Sequence, residues 1–303
     1  MTAFNTKSMC IYRLTRVIYF TDLDQQLASF KYEPCGAQDL FKSGFITPLG
    51  KHSDAIFHSA SDQYLISVMQ ENKIVPATVI SRELQEKVEK LESEQHRKLK
   101  KTERDSLKDE VIHSLLPRAF SKFKRTDIWI DQKESRIVVM TASSRQAENC
   151  LALLRKALGS LPIVPFIMKS PIELTLTDWV KTGDLPKSFE AGERAELKAL
   201  LDDGGIARFS KQDLISDEVL SNIDAGKIVT KLSLDYDERI QFSINCDFVF
   251  TGIKFSDDIL DKNDDIDRDD FCQRFDADFF LITSELKKLI ADLIEALGGE
   301  AKL

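Results

Sequence analysis

Residues 95–125 read QHRKLKKTERDSLKDEVIHSLLPRAFSKFKR, and the division of this stretch at Pro117 decides how the chain is parsed. It holds ten basic residues (Arg97, Lys98, Lys100, Lys101, Arg104, Lys108, Arg118, Lys122, Lys124, Arg125) against four acidic ones (Glu103, Asp105, Asp109, Glu110). That is +6 in a chain of net charge −8, so the remaining residues carry −14. Positive charge gathered into one segment is the footprint of a polyanion site. The run 80–116, most of it before Pro117, contains neither Gly nor Pro and is rich in Glu, Lys, Arg, Gln and Leu, which predicts helices. Leu84, Val88, Leu91 and Gln95 form a thin apolar seam, too short for a sustained coiled coil. Thr102 with Asp105 and Ser106 with Asp109 have capping-box spacing, which predicts a break near Lys101 and Thr102. Arg97, Lys98, Lys100 and Lys101 can reach phosphates from such a helix, but nothing beside them reads bases. After Pro117, PRAFSKFKR interleaves Phe120 and Phe123 with Arg118, Lys122, Lys124 and Arg125. Rings among cations can stack on exposed bases, wedge a duplex or pack in an interface.

Outward from this stretch, strand and helix patterns alternate. Residues 10–20 place Cys10, Tyr12, Leu14, Ile18 and Phe20 on one face of a predicted strand, interrupted at Arg16. A short helix over 22–30 follows, then a loop over 35–50, then a hairpin of 54–60 with 64–69 turning at Ser61 and Asp62. Beyond the helical run come strands over 127–131 and 136–141, a helix capped by Ser143 and ended by Gly159, and an edge strand or connector over 161–168. The last third predicts strands at 206–210, 227–234, 239–245 and 249–255, a helix at 216–225, and a closing amphipathic helix over 271–297. The fold class is α+β: antiparallel sheets with packed helices and a projecting helical arm. The predicted domains are an N-terminal α+β domain (1–76 with 118–168), the inserted arm (77–117) and a C-terminal α+β domain (169–303).

The composition narrows the function. An isoelectric point near 5.2 argues against a protein that coats nucleic acid with its whole surface. A local site survives, because at physiological salt the Debye length is about 8 Å and distant acids barely oppose a phosphate on a basic patch. Five cysteines (Cys10, Cys35, Cys150, Cys246, Cys272) without a CxxC predict free thiols in a reducing cytosol. Arg13 and Arg16 interrupt the apolar N-terminal stretch, so neither a leader nor a membrane span is expected, and the chain reads as soluble and cytoplasmic. GxGxxG, GxxxxGK[ST], HExxH and GxSxG are all missing from the sequence, and the four histidines share no ligand spacing, so no enzyme and no cofactor is expected. The acidic run DDILDKNDDIDRDD (257–270) fails as an EF-hand, with Ile266 where the tight turn needs Gly and Cys272 where the bidentate Glu belongs. It reads as a solvated loop, or as a negative partner for the N-terminus of the last helix.

Several blocks together resemble the RdgC family of recombination-associated proteins: LKKTERDSLKDEVIHSLLPRAFS (99–121), LALLRKALGSLPIVP (151–165), PIELTLTDWV (171–180), ELKALLDDGG (196–205) and RFDADFFLITSEL (274–286), with looser matches at CGAQDL (35–40) and KHSDA (51–55). The resemblance implies a non-catalytic protein with a horseshoe-shaped subunit, paired with a second into a ring whose basic inner surface surrounds double-stranded DNA. It further implies little sequence preference, association with the nucleoid and restraint of RecA. Arg118 and Phe120 fall in the most recognisable block, and Lys211 and Gln212 in FSKQDL (209–214) are implied inner-surface contacts. The candidate DNA contacts are thus Arg97, Lys98, Lys100, Lys101, Arg118, Lys122, Lys124, Arg125, Lys211 and Gln212, with Phe120 expected at the dimer contact. Single-stranded DNA, a metal-dependent nuclease using the acidic run, and a recombinase-binding factor without direct DNA contact stay open as alternatives.

Overall fold

The computed structural model describes residues 7–201, 204–267 and 269–301. The first part of the chain forms β1 (Ser8–Leu14), α1 (Leu23–Ala28), β2 (Phe41–Ile46), β3 (Phe57–Ala60) and β4 (Gln63–Ile74). Two helices follow, α2 (Ala77–Gln95) and α3 (Lys101–Leu115), and then β5 (Phe120–Asp131), β6 (Arg136–Val139), α4 (Ser144–Leu158) and β7 (Ile163–Pro165). The remainder runs α5 (Ile172–Thr182), β8 (Phe189–Ala199), β9 (Ile206–Ser210), α6 (Asp217–Asp224), β10 (Lys227–Tyr236), β11 (Ile240–Asn245), β12 (Val249–Phe255), α7 (Asp257–Leu260) and α8 (Phe271–Ala296).

β1 is apolar on both faces, Met9 and Ile11 on one and Cys10, Tyr12 and Leu14 on the other, and all five are buried. A strand of that kind belongs in the middle of a sheet. It pairs antiparallel with β6 on one side and with β12 on the other, and so joins the two halves of the chain. The expected separate sheets are therefore one antiparallel sheet of twelve strands among the described residues, in the order β2-β4-β5-β6-β1-β12-β11-β10-β8-β9, with β3 on β4 and β7 on β1.

Two cores flank it. Beneath α1 and α4 lie Leu27, Phe45, Ile66, Ile130 and Leu154; between the other face and α5, α6 and α8 lie Trp129, Leu176, Leu232, Phe250 and Leu286. Helix α8 spans both halves. Its Phe275 and Phe279 meet the His58 ring edge-on at 5.0 and 5.1 Å, and Lys287 pairs with buried Asp131 at 2.9 Å. Further along, Glu285 holds Arg239 at 2.5 Å and Asp292 accepts from the Tyr236 hydroxyl at 2.5 Å. Each large apolar side chain on the α8 stripe contributes roughly 1.5–3 kcal/mol by burial. Among the described residues, no helix is long and apolar enough to cross a membrane.

The hairpin turn stands at Ser61 and Asp62, whose φ values of 50° and 63° are those of a type I′ turn. Elsewhere the boundaries move. The strand expected over 10–20 ends at Leu14, and Ile18 and Phe20 pack on the core from the loop that follows. The loop expected over 35–50 contains β2, and β8 had no strand pattern in its Glu- and Ala-rich sequence. In the arm the break lies at 96–100, with His96 left-handed at φ 51°. The Lys100 N–H donates to the Glu103 carboxylate at 2.7 Å, so Thr102 and Ser106 sit inside α3 and cap nothing. Val88 and Val111 are buried between the two helices and belong to neither sheet core, which makes α2 and α3 a helical hairpin with its own small seam.

Candidate nucleic-acid interface

β4 and β5 pair in register along their whole length, from Gln63 opposite Asp131 to Ile74 opposite Phe120. They change character midway. The inner half of β5, 126–131, is entirely buried, whereas 120–125 is largely exposed. The KFKR segment is thus strand from Phe120 onward, seven residues earlier than the expected start at 127. Lys and Phe alternation gives no one-sided apolar face, so the segment is held as strand by its long-range pairing with β4 and not by its own pattern.

Strand alternation sorts the outer half. One face carries Phe120, Lys122 and Lys124 beside Ile74, Asn72 and Gln70 of β4, with Phe41 of β2 opposite Asn72. Lys122 and Lys124 are exposed, and neither joins an ion pair among the described residues. Arg118 stands exposed just before the strand, at the end of the 3₁₀ turn Leu116–Arg118. Phe120 is 84% exposed with Ile74 at 47% and Phe41 at 46%, an apolar tip adjoining the cations.

The opposite face is anchored. Glu71, buried opposite Phe123, accepts from the Ser121 hydroxyl (2.5 Å), the Tyr32 hydroxyl (2.5 Å) and the Cys35 N–H (2.7 Å). Three donors to one carboxylate stabilise its charge and hold its pKa down to about 2. Burial and the Glu71 bond push the Tyr32 phenol up to about 12. Tyr32 reaches this position because its backbone crosses Gly44, where a Cβ would come within 2.4 Å of the Tyr32 Cα. Arg125 on the same face is committed to the fold, donating to Asp127 at 2.8 Å and to the Pro48 carbonyl at 2.9 Å. Tyr32, Cys35 and Glu71 are the residues that sequence reasoning passed over. Partners 36 to 50 positions apart leave no spacing signal.

The arm presents its cations differently. Arg97 is paired with Glu103 at 2.6 Å and Lys98 with Glu92 at 3.2 Å, and Lys87 of α2 reaches Glu110 of α3. Arg97 and the Lys100 N–H hold the Glu103 carboxyl down to about 2. Lys100 and Lys101 are exposed at the arm's tip. Residues 77–115 as a whole hold nine basic and nine acidic residues, so folding α2 against α3 cancels the excess seen along the sequence.

Lys211 and Gln212 lie elsewhere. They follow β9, the edge strand at the far end of the sheet from β2. Lys211 is left-handed at φ 60°, and the Gln212 amide donates to Glu218 at 3.3 Å. The sheet path has ten strands, so at about 4.8 Å per spacing its edges are roughly 40 Å apart. Within one subunit the candidate contacts therefore form two groups.

The acidic run is partly bound into the fold. Asp270 caps α8 by accepting from the Gln273 N–H at 3.0 Å, and Asp264 pairs with Arg274 at 2.5 Å. Helix α8, the helical layer α5 and α6, and the run itself hold eighteen acids against six cations, which puts most of the negative charge on the helical side of the C-terminal half. Among the described residues, no group of three or more His, Cys, Asp or Glu side chains is placed to hold a metal ion.

Residues 5–300 match the family model described as "Putative exonuclease, RdgC". The chain is 55% identical over 298 residues to the recombination-associated protein RdgC of Yersinia pestis (strain Pestoides F), covering 98% of each chain. The same identity and coverage hold for the proteins of that name from Yersinia pseudotuberculosis (serotype O:1b) and Yersinia enterocolitica (serotype O:8).

Proposed function

This chain belongs to the RdgC family of recombination-associated proteins, and on that footing we propose that it is a non-catalytic, sequence-nonspecific DNA-binding protein that restrains RecA. The observation that carries the DNA reading is the outer half of β5 and the turn before it: Arg118, Lys122 and Lys124 are exposed and free of ion pairs among the described residues, and Lys122 and Lys124 have neutral Asn72 and Gln70 as strand neighbours. Cations so placed neutralise phosphates and read no bases, which gives affinity without sequence preference.

A dimeric ring around duplex DNA is the assembly we propose, from horseshoe-shaped subunits organised as an N-terminal α+β domain, an inserted arm and a C-terminal α+β domain. Its support is the separation of two candidate groups at opposite ends of one sheet, Phe120 near the β2 edge and Lys211 with Gln212 beyond β9. Closing a two-subunit ring takes two self-complementary contacts, and the exposed Phe120, Ile74 and Phe41 offer an apolar surface for one of them. A ring would retain DNA topologically, so purely electrostatic contacts would suffice. It would act in the cytoplasm at the nucleoid, and single strands would be admitted through stacking on Phe123.

Titrating labelled duplexes of unrelated sequence with the protein at increasing salt tests this reading. Equal affinities are expected, with log K falling by about 0.9 per neutralised phosphate for each unit of log salt. Sequence-dependent affinity, or no binding at low salt, would sink it; the latter leaves a recombinase-binding factor without direct DNA contact. The family description names an exonuclease, and that second reading is tested by incubating end-labelled linear DNA with the protein and magnesium or manganese. Progressive shortening would replace the non-catalytic reading.

A further inference from the structure

The seam where β1 meets β12 and β7 opens into a cleft of about 710 Å³. Tyr12 and Val249 from the sheet and Phe166 and Ile172 from the segment after β7 give it an apolar floor. Three carboxylates rise around that floor: Glu148 of α4, Glu173 of α5 and Asp247 of the turn between β11 and β12. None of the three joins an ion pair among the described residues. Lys169 also lines the cleft, its ammonium beside Gly299, and it joins no ion pair among the described residues. Their potential is felt by the groups between them. Beyond the effect of burial, Asp247 raises the Cys10 thiol, Asp247 and Glu173 raise the Cys246 thiol, and Cys10 and Glu148 raise the Tyr12 phenol. At the mouth, Ile167 is 49% exposed.

We propose that this cleft binds a basic, partly apolar peptide segment of a partner protein, with its Arg or Lys side chains against Glu148, Glu173 and Asp247 and its apolar side chains on the Tyr12, Phe166 and Ile172 floor. The combination selects the class of ligand. A cleft lined by three carboxylates against one lysine repels nucleic acid, so its occupant differs from the polyanion proposed for β5. The carboxylates are not grouped to chelate a metal, as the absence of any such cluster among the described residues states. Long cationic side chains, by contrast, pair with separated carboxylates while laying their methylene stems on apolar surface.

Fluorescence anisotropy with a labelled short peptide alternating leucine and arginine, titrated with the full-length chain without DNA, tests the cleft. Saturable binding is expected, with none for the leucine–glutamate counterpart. The triple variant Glu148→Gln, Glu173→Gln, Asp247→Asn, all surface side chains, should bind roughly tenfold more weakly. Ile167→Ser, which leaves the charges in place, should also weaken binding. Bound peptide should slow alkylation of Cys246 by iodoacetamide. Unchanged affinity in the triple variant, loss of binding on neutralising Asp264, Asp265 and Asp267 instead, or no protection of Cys246 would each overturn the assignment.

Discussion

Arm and strand share one basic stretch, yet they end in opposite electrostatic states. Helix α3 and the loop before it carry most of the cations, but folding back along α2 brings Glu92 to Lys98 and Lys87 to Glu110, while Glu103 of α3 takes Arg97. The span 77–115 is neutral. Across Pro117, residues 118–125 hold Arg118, Lys122, Lys124 and Arg125 and no acid; only Arg125 is spent on the fold. Charge along a sequence therefore overstates charge on a surface wherever an antiparallel neighbour supplies the counterions.

The sharpest way to break this contrast is to reverse the strand. Lys122→Glu with Lys124→Glu should weaken duplex binding by roughly tenfold to a hundredfold at moderate salt and flatten the salt slope. Unchanged affinity in a filter-binding titration would move the interface elsewhere. Phe120 separates assembly from DNA contact at the same tip. Because Phe120 is exposed, Phe120→Ala should leave the melting temperature of the subunit unchanged while the proposed dimer dissociates at higher protein concentration in sedimentation runs. A variant that stays dimeric on dilution but loses DNA affinity would instead make the ring a stacking surface.

Glu71 probes what holds the outer strand in place. Glu71→Gln should lower the melting temperature by a few degrees, since Tyr32, Ser121 and the Cys35 N–H lose a charged acceptor. Its folded pKa lies below the ordinary value, so the stability it contributes is full above about 4.5 and is lost as pH falls from there toward about 2. Thermal melts across that interval should fall more steeply for wild type than for the variant; parallel curves would remove Glu71 from the account. The smallest effect belongs to the arm. Lys100→Glu with Lys101→Glu should change DNA affinity no more than a few-fold, because acids of the same hairpin already screen that tip. A loss as large as that of the β5 variant would erase the distinction.

Much of this was legible beforehand. The run without Gly or Pro announced α2 and α3, the pattern read over residues 10–20 announced a strand that formed at 8–14, and the stripe of Phe275, Phe279, Ile282, Leu286, Leu289 and Leu293 announced α8. The family followed from blocks spread along the chain. The site was only half legible. Lys122 and Lys124 could be named, but their strand conformation, the Glu71 anchor beneath them and the commitment of Arg125 to Asp127 and Pro48 could not.

By itself, then, the sequence determined the α+β class, the two helices of the arm, the hairpin turn at Ser61 and Asp62 and the place where cations accumulate, because helical and strand periodicities and turn preferences act within a few residues. Only the tertiary structure decided that β1 joins both halves into a single sheet, that the arm's charge cancels, that Phe120 and Lys211 stand at opposite ends, and that three carboxylates without ion pairs line one cleft. Each of those depends on register and packing between residues far apart in the chain, and a side chain's free charge is set by the neighbours that packing brings to it.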